Sequence, residues 1–591
     1  MTGNNPKPVD ELPSNIEVEG AAEGYLEIFR RYGVDYVFCS PGSEFIPLWE
    51  FLAKFNTQGR GPKYVNARHE SVALAMAKSY TMATGRPQVV LLHVAAGLLH
   101  GAMEIRSIYM DNVPMLVMVG QNVTHEREIW GGTAGSHYFP FADVGGTQRL
   151  VQPYVKWCEA PDTNLNMHYI LARAFRVAMS EPKGPVFLLM SRELMFEKVK
   201  NMKMPVKIEP STPPQAAPEA LKKLAELMLR VENPLIYTRY LGRNPDSVKY
   251  LVELAEATST PVFETPVYTN FPTDHSLHMG CDINPYLEDA DLVLVIDGSG
   301  RPPWYPPSSV LTSSKAKVVF LDIDPVQVKY PYWGYPADLL ITADSGLAVP
   351  ALLKSVRKMA SSLGDVGGIG RRLERWKHEH ERLRALWREE ALSSSEMTPI
   401  DPKWLCHNIN EVIEENYLVI HETITHGGII NRYVERNRIN PGTRFEGAGA
   451  VGHTGLGQGL SLALGVKLAN PDRTVIALEG DGSFNYNPVH ACLGMSQEYG
   501  LPFLTVIFDN RSYAAMKGQP RFYPEGWSVK TDTFYGVYEE PKPLYGKLAE
   551  AFGGYAETVV DPKEVKPALQ RGLDEVKKGK LALCDIILKK P

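Results

Sequence analysis

Glu479-Gly480-Asp481-Gly482-Ser483 and Asp509-Asn510-Arg511-Ser512 are two segments whose residue types and spacing could do chemistry together. Each follows a short apolar run, 475–478 in the first case and 503–508 in the second. Each therefore reads as a turn at the carboxyl end of a strand, with a helix between the two strands. Turns at that edge of a parallel α/β sheet bind ligands. Asp481 and Asn510, 29 residues apart, would present hard oxygen atoms toward one point. Such atoms suit Mg²⁺ carrying a phosphorylated ligand, because Mg²⁺ takes a few protein oxygens plus phosphate oxygens. A glycine-rich turn after a strand also occurs as an ordinary tight turn, and the second polar turn is what separates the two cases.

The flanking elements follow one pattern. Helices are expected at 20–32, 45–55 and 70–84, and strands at 34–39, 63–67, 88–94, 115–119 and 186–190. Strands alternating with helices argue for a parallel sheet covered on both faces. This first domain should occupy residues 1–195. Prolines crowd 206–218, the mark of an extended linker. A second α/β unit, 215–355, should carry strands at 235–237, 262–264, 292–297 and 317–322. The charged stretch 371–390 reads as a connector helix with a solvated face. A third domain, 400–591, should carry strands at 418–421, 475–478, 503–508 and 581–587. The expected fold class is α/β, with three doubly wound parallel-sheet domains.

Bulk properties bound the function. A chain of 591 residues should hold several domains. Hydrophobic residues make up 44% and charged residues 22%, ordinary for a soluble enzyme. Lys and Arg number 62 against 68 Asp and Glu, so no basic surplus invites nucleic acid. The six cysteines show no close ligand spacing, which suggests neither zinc nor a disulfide framework. Reduced cytoplasmic thiols are the simplest account. The first thirteen residues lack an apolar signal core, and no run is long enough to span a bilayer. The expected partner is a small molecule, with neither nucleic acid nor membrane.

The paired turns resemble the cofactor motif of thiamine-diphosphate enzymes, in which GDG is followed within thirty residues by Asn. The order of the three units resembles the branch containing 2-oxo-acid decarboxylases and acetolactate synthases, over nearly the whole chain. The resemblance implies a pyrimidine-binding, a middle and a diphosphate-binding domain. It also implies Mg²⁺ held by Asp481, Asn510 and the Ser512 carbonyl, with Gly480, Gly482, Ser483 and Asn485 near the diphosphate. The chain has Asp509 where the family often has Asn.

Arg68-His69-Glu70 carries the resemblance in the first domain. It implies that Glu70 contacts the cofactor's aminopyrimidine ring, where a carboxylate on the ring nitrogen favours the tautomer whose exocyclic nitrogen acts as a base. Such a carboxyl belongs in a poorly hydrated site, where its pKa moves toward neutrality; a first-turn helix acid would look the same. Val37-Phe38-Cys39-Ser40-Pro41-Gly42-Ser43 and Leu92-His93-Val94-Ala95-Ala96-Gly97 resemble segments of the benzoylformate decarboxylases. That places Ser43 and His93 on substrate-lining positions, where a hydroxyl and an imidazole could bind a carboxylate and shuttle protons. Ser43 could equally cap the next helix, and His93 could bond to backbone. A second catalytic His of those decarboxylases has no counterpart in Ser299 to Tyr305.

Glu422-Thr423-Ile424-Thr425-His426 resembles the acetolactate synthase segment that binds diphosphate, on positions Thr425 and His426. The N–H groups of Gly427 and Gly428 could add to that anion site. Gly452-His453-Thr454-Gly455-Leu456-Gly457 matches the loop that supports the bent cofactor, with Leu456 as its apolar pillar. FAD in the middle domain is not favoured, since the acetolactate synthase Arg-Phe-Asp-Asp run is missing and no GxGxxG follows residue 235. The loop 301–307 and the aromatic segment 518–538 would shape the substrate pocket, the latter as a lid or as packing. The implied reaction is decarboxylation of a 2-oxo acid, ending in an aldehyde or in ligation to a second carbonyl. An acetolactate-synthase-type transfer, or C–C cleavage without CO₂ loss, stays open, and a non-catalytic cofactor-binding role is the remote alternative. The family's shared active sites imply a homodimer or homotetramer.

Overall fold

The computed structural model describes residues 15–121, 145–205, 209–298, 316–330, 335–363, 368–414, 416–435, 444–446 and 455–590. In chain order the strands are β1 Asn15–Glu17, β2 Tyr36–Cys39, β3 Lys63–Asn66, β4 Gln88–Leu92, β5 Met115–Gln121, β6 Trp157–Glu159, β7 Pro185–Ser191 and β8 Asn201–Lys203. They continue as β9 Pro234–Thr238, β10 Val262–Glu264, β11 Leu292–Ile296, β12 Lys317–Asp322 and β13 Leu339–Thr342. The last are β14 Tyr417–Glu422, β15 Arg444–Glu446, β16 Thr474–Gly480, β17 Leu504–Asp509, β18 Tyr555–Val559 and β19 Ala582–Ile587.

Three parallel sheets result, ordered β3-β2-β4-β5-β7-β6, β10-β9-β11-β12-β13 and β15-β14-β16-β17-β19-β18. The central strands β4, β7, β9, β11, β14, β17 and β19 are buried at every position. Their largely apolar character, interrupted by a few buried polar residues such as His421, Glu422 and Asp585, is what a sheet covered on both faces requires. Each sheet has its own apolar core. The expected α/β class with three parallel sheets is what the chain forms. β1 and β8 add a short antiparallel pair.

The chain divides into two compact units: Met1–Thr212 with Leu464–Ala469, and Pro213–Ala463 with Asn470–Pro591. The first sheet lies in the first unit, and the other two share the second. In every sheet the chain order reverses beside the first long strand, between β2 and β4, β9 and β11, and β14 and β16. The crevice outside the carboxyl ends at such a switch point is the preferred ligand site of open α/β sheets.

Strands β6, β13, β15 and β18 were not expected from the sequence. All four lie at sheet edges. The burial of β6, β13 and β18 is partial, so they lack the apolar run that marks a central strand. The charged helix is longer than expected, Ile369–Ser393, and is more than a solvated connector. It buries Trp376 and Trp387, its Arg372 donates to the Met228 and Val231 carbonyls, and Tyr286 donates to its Glu379 at 2.6 Å. The long polar side chains tie the helix to the second unit by their heads and stems.

Candidate active site

In the first unit, three expected residues lie at three strand ends, and two of them, Glu70 and His93, border one glycine. Glu70 opens the helix Glu70–Thr84 after β3, Ser43 follows β2, and His93 caps the helix Val94–Met110 after β4. A Cβ on Gly97 would stand 3.2 Å from Glu70 Oε1 and 3.6 Å from His93 Cβ, so both side chains border one glycine. Ser43 begins a 3₁₀ turn, Ser43–Phe45. The following helix, Ile46–Thr57, has Phe45 at its N-cap and no side-chain cap, so the capping reading of Ser43 does not hold.

Glu70 departs from the expected electrostatics. Burial pushes its carboxyl up, but its own backbone N–H, the Ser40 hydroxyl and His100 all hydrogen-bond to it, and His69 adds attraction. The net effect holds Glu70 below the usual carboxylate range rather than toward neutrality. His100 Nδ1 lies 3.2 Å from Glu70 Oε2, and the rings of His69 and His100 stack at 5.4 Å. His93 Nδ1 meets both oxygens of the buried Glu44 at 2.9 and 2.8 Å. Glu44 belongs to no motif; its proximity to His93 arises from two strand ends 49 residues apart.

In the second unit, β16 ends in Gly480 and Asp481 opens the short helix Asp481–Tyr486. Asp481 Oδ1 accepts the Gly482 N–H at 2.9 Å and Oδ2 the Ser512 N–H at 3.1 Å. The Ser512 hydroxyl donates to Asn510 Oδ1 at 2.8 Å. Asp481, Asn510 and Ser512 are thus joined in one buried cluster at the ends of β16 and β17. Burial, then the charges of Asp509 and Glu539, push Asp481 up to about 8 against the pull of the two N–H groups. Lys542 answers Asp509 and Asp585, at 2.9 Å from each. Glu539 Oε1 is buried without a hydrogen-bond partner. An excess of buried negative charge around oxygen donors is the environment a hard divalent cation relieves, so the residues fit Mg²⁺.

Asn485 Nδ2 donates to Glu539 Oε2 at 2.8 Å and to the Tyr545 hydroxyl at 3.0 Å. Ser483 is buried beside Asp481. Gly482 is needed as glycine, since a Cβ there would stand 2.7 Å from the Tyr513 ring. After β14, Thr425 is exposed and His426 is buried. Burial drives the His426 imidazole down to about 4, so at neutral pH it offers a single N–H donor and no charge. The Gly427 N–H is already directed at the Ile424 carbonyl, at 3.4 Å, and the helix Gly427–Tyr433 is short.

Glu422, at the end of β14, is a second residue that the sequence did not single out. Its Oε1 accepts the N–H of Gly457 at 3.0 Å, and its Oε2 those of Gln458 and Gly459 at 3.0 and 2.7 Å. One fully buried carboxylate therefore fixes the backbone next to Leu456. Gly457 has φ +98°, and a Cβ there would meet the Tyr486 carbonyl at 2.3 Å, so the loop requires glycine. Gly452, His453 and Thr454 of the same loop lie outside the described residues.

The aromatic segment leaves and returns at the Asn510 turn: Tyr513 N–H donates to Val537 O at 2.7 Å, and Glu539 N–H to Arg511 O at 3.1 Å. Phe534 packs inside it, while Phe522, Tyr523, Trp527 and Tyr535 are 69–88% exposed. In the middle unit, the loop 301–307 and the whole of Ser299 to Tyr305 fall outside the described residues. Among the described residues, no disulfide joins any of the six cysteines. Among the described residues no helix is long and apolar enough to cross a membrane.

Known proteins share the order of three domains. Residues 20–145, 221–352 and 425–586 match the N-terminal TPP binding, central and C-terminal TPP binding domains of thiamine pyrophosphate enzymes. The chain is 29% identical over 512 residues to a benzoylformate decarboxylase of Pseudomonas aeruginosa, covering 83% of this chain and 86% of that one. It is 24% identical over 588 residues to the acetolactate synthase isozyme 3 large subunit of Escherichia coli, covering 97% and 95%. The crystal structure of a benzoylformate decarboxylase from Polynucleobacter necessarius superposes with a TM-score of 0.76 at 20% identity, covering 97% and 99%, which shows the shared fold. With three domain models matched in sequence over three parallel sheets, the chain belongs to the thiamine pyrophosphate enzymes, of the decarboxylase and acetolactate synthase type.

Proposed function

We propose that the chain is a thiamine diphosphate- and Mg²⁺-dependent lyase or carboligase acting on a 2-oxo acid. It releases CO₂ and either yields an aldehyde or joins the remaining fragment to a second carbonyl compound. The observation that carries this reading is the cluster of Asp481, Asn510 and Ser512 in a buried, over-negative site beside the GDG turn. Thiamine diphosphate, when bound, supplies a carbon nucleophile and an electron sink. Asp481, the Asn510 amide oxygen and the Ser512 carbonyl would hold Mg²⁺. Thr425, His426, Gly480, Gly482, Ser483 and Asn485 would bind the diphosphate, Asn485 after leaving Glu539. Leu456, on the loop that Glu422 anchors, would support the cofactor's bent shape. Glu70 would hold the proton at the pyrimidine nitrogen, and Ser43 and His93 would orient the substrate carboxylate and move protons.

FAD is not part of the proposal. At the middle switch point the Gly242 N–H, after β9, is taken by Asn270 Oδ1 at 2.8 Å, and a Cβ there would meet Thr269 O at 2.2 Å. Arg243 and Asp297 bridge the same crevice at 3.3 Å. These contacts weigh against a dinucleotide phosphate at this turn, so FAD is not favoured. We further propose a cytoplasmic homodimer or homotetramer, each site drawing Glu70 from one copy and Asp481 from another.

The test is CO₂ release from 2-oxo acids, pyruvate through benzoylformate, with and without thiamine diphosphate and Mg²⁺. Cofactor-dependent release is expected, reduced at least about 100-fold in Glu70→Gln. An acetolactate-synthase-type transfer is the alternative, supported by likeness to an acetolactate synthase large subunit over 97% of the chain, and acetolactate formed from pyruvate alone would select it. Absence of release from every acid, with cofactor bound, would sink decarboxylation and leave C–C cleavage or a non-catalytic role.

A further inference from the structure

Glu44 is 3% exposed and reaches into the switch-point crevice between β2 and β4. Its carboxylate spans His93 Nδ1, at 2.9 and 2.8 Å, and Oε1 also accepts the Val94 N–H at 3.3 Å. Two glycines make its space. A Cβ on Gly120 would stand 2.1 Å from Glu44 Cγ, and one on Gly42 would stand 2.5 Å from Glu44 Oε1 and 2.4 Å from His93 Nδ1. Val94, next to the imidazole, is held at φ +36°, a left-handed backbone that costs a β-branched residue energy. A buried carboxylate is costly unless a partner meets it. Here the side-chain partner is the imidazole, which is itself 39% exposed.

We propose that Glu44 is the positioning residue of His93: its carboxylate accepts the Nδ1–H, fixes the neutral ring as the Nδ1–H tautomer, and leaves Nε2 to exchange a proton with the substrate. This rests on His93 lining the substrate site, as proposed above. When Nε2–H gives its proton to a substrate atom, the N–H electron pair stays on the ring as a lone pair, and Glu44 keeps its charge throughout. The same geometry steadies the imidazolium that precedes this step, because the negative charge stands on the far side of the ring from the transferred proton. Two carboxylates face the ring, Glu44 from the turn after β2 and Glu70 from the helix after β3. The Glu44 hydrogen bond raises the imidazole's pKa, burial opposes it, and the charges of both carboxylates add to the rise.

The tautomer can be read on the wild-type holoenzyme, independently of any variant folding. Histidine is labelled with ¹⁵N, and His93→Gln identifies the resonance. Above the titration midpoint, a protonated Nδ1 with a bare Nε2 is expected; an Nε2–H tautomer would overturn the proposal. In Glu44→Gln the His93 midpoint should fall by about one pH unit. The limb of the kcat/KM profile that reports His93 should move with it, with a loss of about 10- to 100-fold. Loss of activity with an unmoved profile would mean that Glu44 serves only the fold, and would equally overturn it. Full activity in His93→Gln, with the tautomer and midpoint shift intact, would instead strike the assignment of His93 to the substrate site.

Discussion

At the scale of single residues, Glu422 and Glu479 show how two like charges can share one place. They are register partners on β14 and β16, and both are fully buried. Burial raises the Glu422 carboxyl too, but three backbone N–H groups and the Asn487 amide pull against that rise, so it is the more readily ionised member. Burial, and then the Glu422 charge, push Glu479 well above the carboxylate range, so it is the neutral member. A carboxyl whose folded-state pKa is raised contributes stability that is complete below about pH 4 and is lost as pH rises through its folded value. Glu479→Gln removes that titration. The variant should therefore gain stability relative to wild type as pH increases from about 5 to 9, measured by guanidinium unfolding at each pH. An unchanged difference across that range would refute the pairing. Glu422→Ala should cost about 3 kcal/mol or more, because three buried N–H groups lose their acceptor at once. Its Tm, compared with that of Glu422→Gln, checks this. Both glutamates stand in segments quoted from the sequence, but neither is assigned a role there, because a glutamate's burial depends on which strand lies next to it.

At the scale of elements, the turn from β4 into the helix Val94–Met110 aims His93. The turn brings Val94 to φ +36° immediately after the imidazole, where glycine would sit without strain. Backbone strain of this kind persists only where surrounding contacts enforce it, and here the Val94 N–H is held by Glu44 at 3.3 Å. Val94→Gly should relieve about 1 kcal/mol of strain, keep or raise the Tm, and lower kcat by loosening the ring. A lower Tm together with unchanged kcat would count against this account. The aromatic excursion pinned at Asn510 makes a second element-scale prediction. Trp527 is 80% exposed, so Trp527→Ser should leave the Tm within about 1 °C, as surface changes do. If the segment closes over substrate, KM rises in that variant; an unaltered KM would assign the aromatics another purpose.

At the scale of the whole molecule, the second unit carries a buried site with more carboxylates than cations. Mg²⁺ with thiamine diphosphate should therefore stabilise the chain by about 2.7 kcal/mol at a hundred times the dissociation constant. The Tm rise should need both components and vanish with a chelator or in Asp481→Asn, whose own apo Tm should be no lower than that of wild type. A Tm rise that survives Asp481→Asn would remove Asp481 from the metal site. The sequence by itself determined the α/β class, the central strands and the paired turns around Asp481 and Asn510. Central strands are buried on both faces and read as largely apolar runs, and the turns are local in the chain. Tertiary structure alone decided the edge strands, because β6, β13 and β18 are half-exposed and borrow their register from a neighbour. It also decided the partners of the site residues. Glu44 reaches His93 across 49 positions, Glu422 reaches Gly459 across 37, and Ser512 reaches Asp481 across 31. Such pairings depend on strand order in the sheet, and a carboxylate's pKa depends on the donors that this order gathers around it. That is part of why Glu70, named from its motif, proved to be held low against burial, by its own backbone N–H and then by Ser40 and His100.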